Sequence, residues 1–224
     1  MILYAIPTPL DGSPEEALPG RSLNTIRGIK DFVVENAKSA RAFLGALGMP
    51  VRGLNIKVIG EERDPLAPLR EKRPLGLLSE AGCPAIADPG AAVVEAAHRE
   101  GFRVVPLVGP SSIVLALMAS GLEGQRFAFC GYLPREDLQR KHRIRELEKR
   151  SRGERETEIF IETPYRNDTL LAALLESCAP GTRLCVAADL TLPGESIQTW
   201  RITEWRRAKA VIGRRPAVFL LLAD

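Results

Sequence analysis

The segment at residues 75–90 (LGLLSEAGCPAIADPG) constrains the fold of this chain more than any other, because a buried apolar run leads directly into two glycine–proline turns. Its first four residues predict a short strand that is covered on both faces. Asp88 and Pro89 are suited to the N-cap and first position of a helix that ends near residue 101. A strand, a tight turn and a capped helix form the ligand crevice of an open α/β sheet.

Length and composition are those of an ordinary globular protein. The chain has 224 residues, of which 45% are apolar and 26% charged, enough to bury a sizeable core. No apolar run approaches the roughly 18 residues of a membrane span, and no basic region precedes an apolar one at the N-terminus. We therefore expect neither a membrane segment nor a signal peptide. The expected location is the cytoplasm.

Cysteine and histidine are too scattered to predict a metal site. The four cysteines form no CxxC pair, and neither of the two histidines has ligand spacing to a cysteine. Reduced thiols in the cytosol are the simplest account, and no metal is expected. No Ser-His-Asp or Cys-His constellation is visible either. This fits a reaction whose chemistry lies in a cofactor, with the protein supplying orientation and electrostatics.

Apolar runs alternate with helical patterns along the chain, which predicts a layered α/β fold. Asn36 and Thr163 are predicted to cap helices, whereas residues 11–22 predict a loop and residues 127–134 an extended connection. The predicted strands are residues 2–6, 32–35, 56–59, 75–78, 103–107, 158–161, 183–187, 197–202 and 217–222, the last of which closes the second sheet.

The chain divides into two halves, and each half alternates predicted strands with predicted helices. We place the boundary near residue 120, which gives an N-terminal domain of residues 1–120, rich in glycine turns, and a C-terminal domain of residues 121–224.

Positive charge is concentrated in two segments, although the net charge is only +3. Residues 135–155 contain nine basic and five acidic residues, and residues 201–215 contain six basic and one acidic. Such surfaces suit an anionic partner such as RNA. The alternative is a solvated helix on which residues four apart form ion pairs. The pairs expected there are Glu136–Arg140, Asp137–Lys141 and Glu146–Arg150.

Several loops at the carboxyl ends of predicted strands are placed to converge on one ligand. They contain no GxxxxGK[ST] or GxGxxG motif, so a nucleotide phosphate site has no support. The acidic residues of these loops favour a cationic ligand. Each turn taken singly is better explained as chain punctuation, whereas five such turns on one side of the sheet favour a common ligand. The loops are residues 7–10, 79–84, 109–112, 162–165 and 189–190. The acidic residues at these strand ends are Glu80, Asp88, Glu162 and Asp189.

Five motifs, in order, resemble those of the class III S-adenosylmethionine (SAM) methyltransferases, the tetrapyrrole methylase superfamily. Within it they are most similar to the enzymes that 2′-O-methylate a cytidine ribose in small-subunit ribosomal RNA. Residues 79–90 (SEAGCPAIADPG) resemble SDAGTPxxxDPG, and residues 103–112 (RVVPLVGPSS) resemble RVVPLPGPxA. Residues 119–122 (ASGL), 127–134 (FAFCGYLP) and 162–166 (ETPYR) are similar to ASGLP, RF…GFLP and ESxHR.

The resemblance implies two αβα domains with mixed, mostly parallel sheets that hold SAM in the cleft between them, as a homodimer. S-Adenosyl-L-homocysteine is the implied product. The implied cofactor contacts are Pro7, Glu80, Ala81, Gly82, Ala85, Ser111, Ser112, Glu162, Leu190 and Pro216.

The sequence departs from this family on the side of the methyl acceptor. The first loop GNLxDIT is replaced by a proline-rich stretch, AEDTR becomes residues 34–38 (VENAK), and RELTK becomes residues 188–192 (ADLTL). A ribose hydroxyl must lose its proton during methyl transfer, so a nearby base or accepting group would help. The acidic candidates are Glu35, Glu80 and Asp88, with Glu35 and Glu80 placed first as catalytic residues.

Three functions follow for the protein. The first is 2′-O-methylation of ribosomal RNA in the small subunit, with the basic segments holding phosphates. The second is methylation of a tetrapyrrole or another small molecule, to which an aromatic content of only 5% is poorly suited. The third is a SAM-binding module without catalysis, which the altered VENAK segment motivates.

Overall fold

Two β-sheets organise the chain, one in each of two units. The computed structural model describes all residues, Met1–Asp224, and the units are Met1–Ser111 and Ser112–Asp224. The division lies before the boundary expected near residue 120. The difference is one helix, α6 (Ser112–Ser120), which packs on the sheet of the second unit.

The sheet of the first unit is entirely parallel. Its strand order is β3-β2-β4-β1-β5, and every neighbouring pair runs in the same direction. Strand β4 carries the apolar run LGLL and is buried along its length, as the sequence predicts. The strands are β1 (Ile2–Ile6), β2 (Asp31–Val34), β3 (Asn55–Val58), β4 (Leu75–Leu78) and β5 (Arg103–Pro106).

Helices lie on both faces of this sheet and bury two separate apolar clusters. Asn36 caps α3 as predicted, because its Oδ1 accepts a hydrogen bond from the Lys38 backbone N–H at 2.8 Å. The helices are α1 (Pro14–Ala17), α2 (Gly20–Arg27), α3 (Ala37–Ala46), α4 (Ala67–Arg70) and α5 (Ala91–Arg99), with a 3₁₀ turn at Val51–Gly53.

The loop predicted at residues 11–22 is wrong, since α1 and the start of α2 occupy it. Ser13 and Glu16 form a reciprocal capping box: the Ser13 hydroxyl accepts from the Glu16 N–H at 3.3 Å, and the Glu16 carboxylate accepts from the Ser13 N–H at 3.4 Å. This S-x-x-E pattern is a helix-start signal that composition alone obscured.

Asp88 is not the N-cap of α5, contrary to the sequence expectation. The cap is Gly90, whose φ of +131° suits glycine, and no side chain caps this helix. The chain adds a further turn after residue 84 before the helix begins, and this leaves Asp88 in the loop.

The sheet of the second unit is mixed. Its order is β6-β7-β10-β8-β9; β6 and β7 are parallel, and the other pairs are antiparallel. The strands are β6 (Phe127–Tyr132), β7 (Thr157–Ile161), β8 (Arg183–Ala188), β9 (Ser196–Arg201) and β10 (Ala217–Leu222). The chain as a whole is thus α/β with mostly parallel pairing, as predicted.

Two strand expectations for this unit are wrong. β10 does not close the sheet but lies in its centre, where it pairs with β7 and β8 and is buried throughout. Residues 127–134 are not a simple connection, because they contain the edge strand β6, whose pairing with β7 shifts register near Gly131. A glycine and a cysteine in an otherwise aromatic run obscured that strand.

The remaining helices cover this sheet around one apolar cluster, in which the Phe160 and Phe219 rings stack with centroids 6.0 Å apart. Thr163 precedes a 3₁₀ turn at Pro164–Arg166 but caps nothing, because its hydroxyl donates to Glu162. The helices are α7 (Asp137–Glu154), α8 (Asn167–Ser177) and α9 (Ile202–Ala208), the last of which the sequence did not predict. No helix in the chain has the length and apolar character needed to cross a membrane.

Candidate functional site

The carboxyl ends of four neighbouring strands in the first unit, β2, β4, β1 and β5, meet at one edge of the parallel sheet. The segments that leave them form what we call the strand-end edge. These segments are residues 7–10, 35–36, 79–90 and 107–111. Crevices outside the carboxyl ends of parallel strands are where open α/β sheets bind ligands.

Two of these segments are joined by backbone hydrogen bonds. The Thr8 N–H donates to the Gly82 carbonyl at 2.9 Å, and the Gly82 N–H donates to the Thr8 carbonyl at 3.0 Å. Gly82 has a φ of +75°, and a Cβ there would lie 3.4 Å from Leu10 Cδ2. Glycine is therefore strongly favoured at residue 82, as its place in the turn predicts.

The segment after β5 packs equally closely on this pair. A Cβ on Gly109 would lie 2.4 Å from the Pro7 Cβ, so only glycine permits the approach. The Cys83 thiol donates to the Pro110 carbonyl at 3.3 Å. Pro7, Gly82 and Ser111, which the resemblance names as cofactor contacts, therefore belong to segments that touch one another.

The loop after β4 holds strained backbone. Ala85 and Ala87 have φ values of +65° and +64°, in the left-handed region that alanine rarely adopts. Each such residue costs about 1–3 kcal/mol, and strain of this kind concentrates at functional sites. The loop after β4 therefore has an irregular backbone. It contains Ala81 and Ala85, which are two further predicted cofactor contacts.

Three carboxylates gather here without a cationic partner: Glu35, Glu80 and Asp88. Glu35 Oε2 accepts a hydrogen bond from the Glu80 N–H at 3.0 Å, which joins the two candidate catalytic residues. Burial raises the pKa of Asp88 to about 6, and repulsion from Glu35 and Glu80 adds to the shift. Asp88 can therefore accept a proton near neutral pH. The three acidic residues together can attract a cationic ligand.

The buried hydroxyl of Thr8 also points to a ligand. Thr8 is 3% exposed, and its Oγ1 has no hydrogen-bond partner. Buried hydroxyls are nearly always paired, so this one is available to a bound molecule. The strand-end edge contains no lysine or arginine. An uncharged or acidic lining with an unpaired hydroxyl suits a cationic ligand without phosphate, as the sequence leads us to expect.

In the second unit, the predicted contacts Glu162, Leu190 and Pro216 lie at one edge of the mixed sheet. Glu162 follows β7, Leu190 lies just after β8, and Pro216 immediately precedes β10. Because β10 pairs antiparallel with both β7 and β8, its start lies beside their ends. The Asp189 N–H donates to the Pro216 carbonyl at 2.9 Å, which ties the two segments together.

Glu162 is already engaged by its own unit. It is 7% exposed; its Oε1 accepts from the Thr163 N–H at 2.8 Å, and its Oε2 lies 3.0 Å from the Arg166 guanidinium. Asp189 is held in the same way by Arg215, with Nε 2.5 Å from Oδ2. The fifth residue of the ETPYR motif therefore neutralises the first.

Ser111 is the last residue of the first unit, and Ser112 begins α6 of the second; both are half-buried. The sequence did not single out Thr8, whose only signal is a hydroxyl between two prolines at a strand end. No group of three or more His, Cys, Asp or Glu side chains is arranged to hold a metal ion.

The basic segments at residues 135–155 and 201–215 are partly structural. Lys141 pairs with Asp137 at 2.9 Å as predicted. The other two predicted pairs are wrong. Glu136 caps α7 instead, and Arg150 bonds the buried Glu158 of β7, because a strand carboxylate without water attracts it more strongly than a solvated glutamate.

The chain is similar to known methyltransferases in sequence and in fold. The sequence profile of the tetrapyrrole (corrin/porphyrin) methylases matches residues 56–205. The ribosomal RNA small subunit methyltransferase I of Vibrio cholerae is 30% identical over 206 residues, covering 91% of this chain and 69% of that protein. The protein of that name from Halalkalibacterium halodurans is 33% identical over 177 residues, covering 77% of this chain and 59% of its own length.

Two solved structures share the fold over the full chain. The methyltransferase CobJ superposes with a TM-score of 0.63 at 18% identity, covering 100% of this chain and 94% of that one. The uroporphyrin-III-C-methyltransferase from Thermus thermophilus gives 0.58 at 22% identity, covering 99% and 94%. At these identities the likeness concerns the fold alone.

Proposed function

This chain belongs to the tetrapyrrole methylase family, and on that premise we propose that it transfers the methyl group of SAM to a ribose 2′-hydroxyl in small-subunit ribosomal RNA. The observation that carries the proposal is the strand-end edge: two family motifs form its loops, and its lining suits a sulfonium cation. The relatives named as ribosomal RNA methyltransferases support the choice of acceptor.

We assign the cofactor to the loops that the resemblance names. SAM, when bound, supplies the electrophilic methyl group. In the first unit Pro7, Glu80, Ala81, Gly82, Ala85 and Ser111 hold it, and Thr8 Oγ1 joins them as a hydrogen-bonding group. In the second unit Ser112, Glu162, Leu190 and Pro216 are the proposed contacts. S-Adenosyl-L-homocysteine is the product to be released.

The carboxylates of Glu35 and Glu80 are proposed to accept the proton that the 2′-oxygen loses. The hydrogen bond between Glu80 N–H and Glu35 Oε2, at 3.0 Å, fixes their spacing. Asp88, with a pKa raised to about 6, is the third member of the group and matches the pKa that general-base catalysis favours near neutral pH.

The proposed partners are the small ribosomal subunit or its RNA, and a second copy of this chain. A ribosomal acceptor also implies the cytoplasm as the site of action. Light scattering of the purified protein tests the homodimer, because a monomeric mass at working concentration contradicts it.

The deciding experiment is transfer of labelled methyl from SAM to small ribosomal subunits that lack their native methylations, followed by nucleoside analysis. A labelled 2′-O-methylnucleoside supports the proposal. SAM binding by calorimetry without label in the RNA overturns the RNA acceptor. That outcome leaves a small-molecule methyltransferase or a non-catalytic SAM-binding protein, which a screen for turnover on other acceptors then separates.

A further inference from the structure

A groove runs along the outer strand of the parallel sheet in the first unit, between β5 and α2. It has a volume of about 380 Å³, within the roughly 300–1,000 Å³ range of small-ligand sites. Leu23 and Ile26 turn α2 toward the apolar core, while Arg21 on the same helix lines the space beside β5. We call this space the α2–β5 groove.

The floor of the groove is apolar and its rims are basic. Parallel pairing sets Ile2 opposite Arg103 and Tyr4 opposite Val105, so these side chains share one face of the sheet. Leu107 continues the alternation toward the carboxyl end of β5. Among the residues that line the groove there is no aspartate or glutamate.

Arg21 and Arg103 are exposed and take part in no ion pair. Their freedom contrasts with Arg27, on the same helix as Arg21, which pairs with Glu15 at 3.2 Å. Two unpaired guanidinium groups beside an apolar floor suit a ligand that combines negative charge with a flat, weakly polar body. A nucleotide of single-stranded RNA has this chemistry, since arginine binds its phosphate and an aromatic ring accepts its base.

The edge of β5 argues against an added β-strand as the occupant. Pro106 has no N–H to donate, and Arg103 places a charge on the same edge. A second copy of this chain therefore gains little by pairing a strand here.

The position of the groove links it to the candidate site. Its floor ends at Leu107 and Val108, which begin the 107–111 segment of the strand-end edge. A chain of nucleotides that lies on the floor and follows β5 toward its carboxyl end therefore approaches the carboxylates and the predicted cofactor loops of the same unit.

We propose that the α2–β5 groove binds a nucleotide of the RNA acceptor next to the methylated ribose, with Arg21 and Arg103 at the phosphates and Tyr4 beneath the base. This rests on the proposed function, because it takes RNA as the acceptor. The basic segments at residues 135–155 and 201–215 belong to the second unit, and none of their residues lines the groove.

The test is the double variant Arg21→Glu/Arg103→Glu. Its matched control is Arg52→Glu/Arg63→Glu, which makes the same change of charge at exposed, unpaired arginines of the first unit outside the groove. Binding of fluorescein-labelled single-stranded RNA is measured by anisotropy at two salt concentrations. KM for small ribosomal subunits is measured in methyl transfer, and SAM affinity by calorimetry.

We expect the groove variant to weaken RNA binding and raise KM at least about tenfold, with the salt slope reduced by about 0.7 for each lost phosphate contact. SAM affinity stays unchanged, and the control variant changes RNA binding by less than about twofold. Equal losses in both variants overturn the groove assignment, since they report only net charge. A change in oligomeric mass confined to the groove variant also overturns it, in favour of a contact between copies.

The groove and the proposed function fail differently. If the wild-type protein transfers no methyl group to ribosomal RNA, the proposed function is wrong, while the anisotropy measurement still decides whether the groove binds RNA. If methyl transfer occurs and both double variants retain it, the function stands and the groove proposal is wrong.

Discussion

The strand-end edge of the first unit and the corresponding edge of the second unit treat their carboxylates in opposite ways. Glu35, Glu80 and Asp88 have no cationic partner, and the pKa of Asp88 is raised to about 6. Glu162 and Asp189 are each held by an arginine of their own unit, at 3.0 and 2.5 Å. The carboxylates of the first edge are not paired with a cation, whereas those of the second edge are neutralised by arginines.

The difference separates carboxylates that destabilise the fold from carboxylates that stabilise it. Crowded carboxylates and left-handed alanines destabilise the folded chain, and they persist only where the surrounding structure or a ligand offsets the cost. A buried ion pair resists disruption, because removing one partner leaves an uncompensated charge. We therefore expect substitutions at the first edge to affect binding most, and substitutions at the second to affect folding most.

The largest effect is expected for Gly82→Val. Valine is strained at a φ of +75°, and its side chain meets Leu10 in the loop that the resemblance assigns to the cofactor. We expect SAM affinity by calorimetry to fall more than about a thousandfold, or about 4 kcal/mol, with the fold retained by circular dichroism.

Gly101→Val is the matched control for this substitution. Gly101 has nearly the same backbone angle, φ +76°, with nothing within 4 Å of its Cβ position, and it lies outside the strand-end edge. It should lose stability and keep SAM affinity. Unchanged affinity in Gly82→Val removes that edge from the cofactor site.

The next largest effect is expected for Arg166→Met at the second edge. The Glu162 side chain is 2% exposed, so the substitution leaves a buried carboxylate without its cation. Unfolding by urea should show a loss of about 3 kcal/mol. Arg126→Met breaks a pair whose side chains are 56% and 58% exposed and should cost under about 1 kcal/mol. Equal losses in the two variants contradict the view that this edge is stabilised by its own ion pair.

Asp88→Asn should stabilise the protein in a pH-dependent way. Because the folded-state pKa is raised to about 6, from a usual value of 3.8, ionising Asp88 costs stability above pH 6. The asparagine variant should therefore be more stable than wild type at pH 7.5, by on the order of 1 kcal/mol after solvent screening. The gain should shrink as pH falls through 6 toward 4.

Asp137→Asn should change the pH dependence of stability in the opposite direction to Asp88→Asn. Hydrogen bonding to Lys141 lowers the pKa of Asp137, so its carboxylate stabilises the fold at neutral pH, and the variant should be less stable there. That loss should disappear as pH falls below the usual range of aspartate. If Asp88→Asn also loses stability at pH 7.5, the carboxylates of the first edge are not in conflict.

The first edge was largely predictable from the sequence because its chemistry is local. A buried strand followed by glycine and proline identified the loop after β4, and Gly82 takes the positive φ that its turn demands. The capping role of Asn36 is likewise decided within three residues. Asp88 escaped the same reasoning, because the left-handed Ala85 and Ala87 insert a turn that no local propensity favours.

Long-range pairing explains what the sequence could not show. β10 is central because it pairs with both β7 and β8, and no signal in its own residues states its neighbours. Arg21 and Arg103 line one groove only because β5 lies next to β1, with α2 packed nearby. The free carboxylates and the paired ones look alike in sequence, since the arginine that neutralises Asp189 is 26 residues away.

The smallest expected effect is also the most direct test of the contrast between the two units, because it uses one substitution in each. Thr8 Oγ1 is buried without a partner, whereas the Thr157 hydroxyl, in a fully buried residue, donates to the Glu123 carbonyl at 2.8 Å. Thr8→Val should leave unfolding stability unchanged or slightly higher and weaken SAM binding about three- to fivefold, the value of one hydrogen bond. Thr157→Val should cost about 1 kcal/mol of stability and leave SAM affinity unchanged. Both variants are measured by urea titration and by calorimetry. The assignment holds only if Thr8→Val loses SAM affinity without losing stability and Thr157→Val loses stability without losing SAM affinity. If Thr8→Val lowers stability as Thr157→Val does, the Thr8 hydroxyl belongs to the fold and not to a ligand.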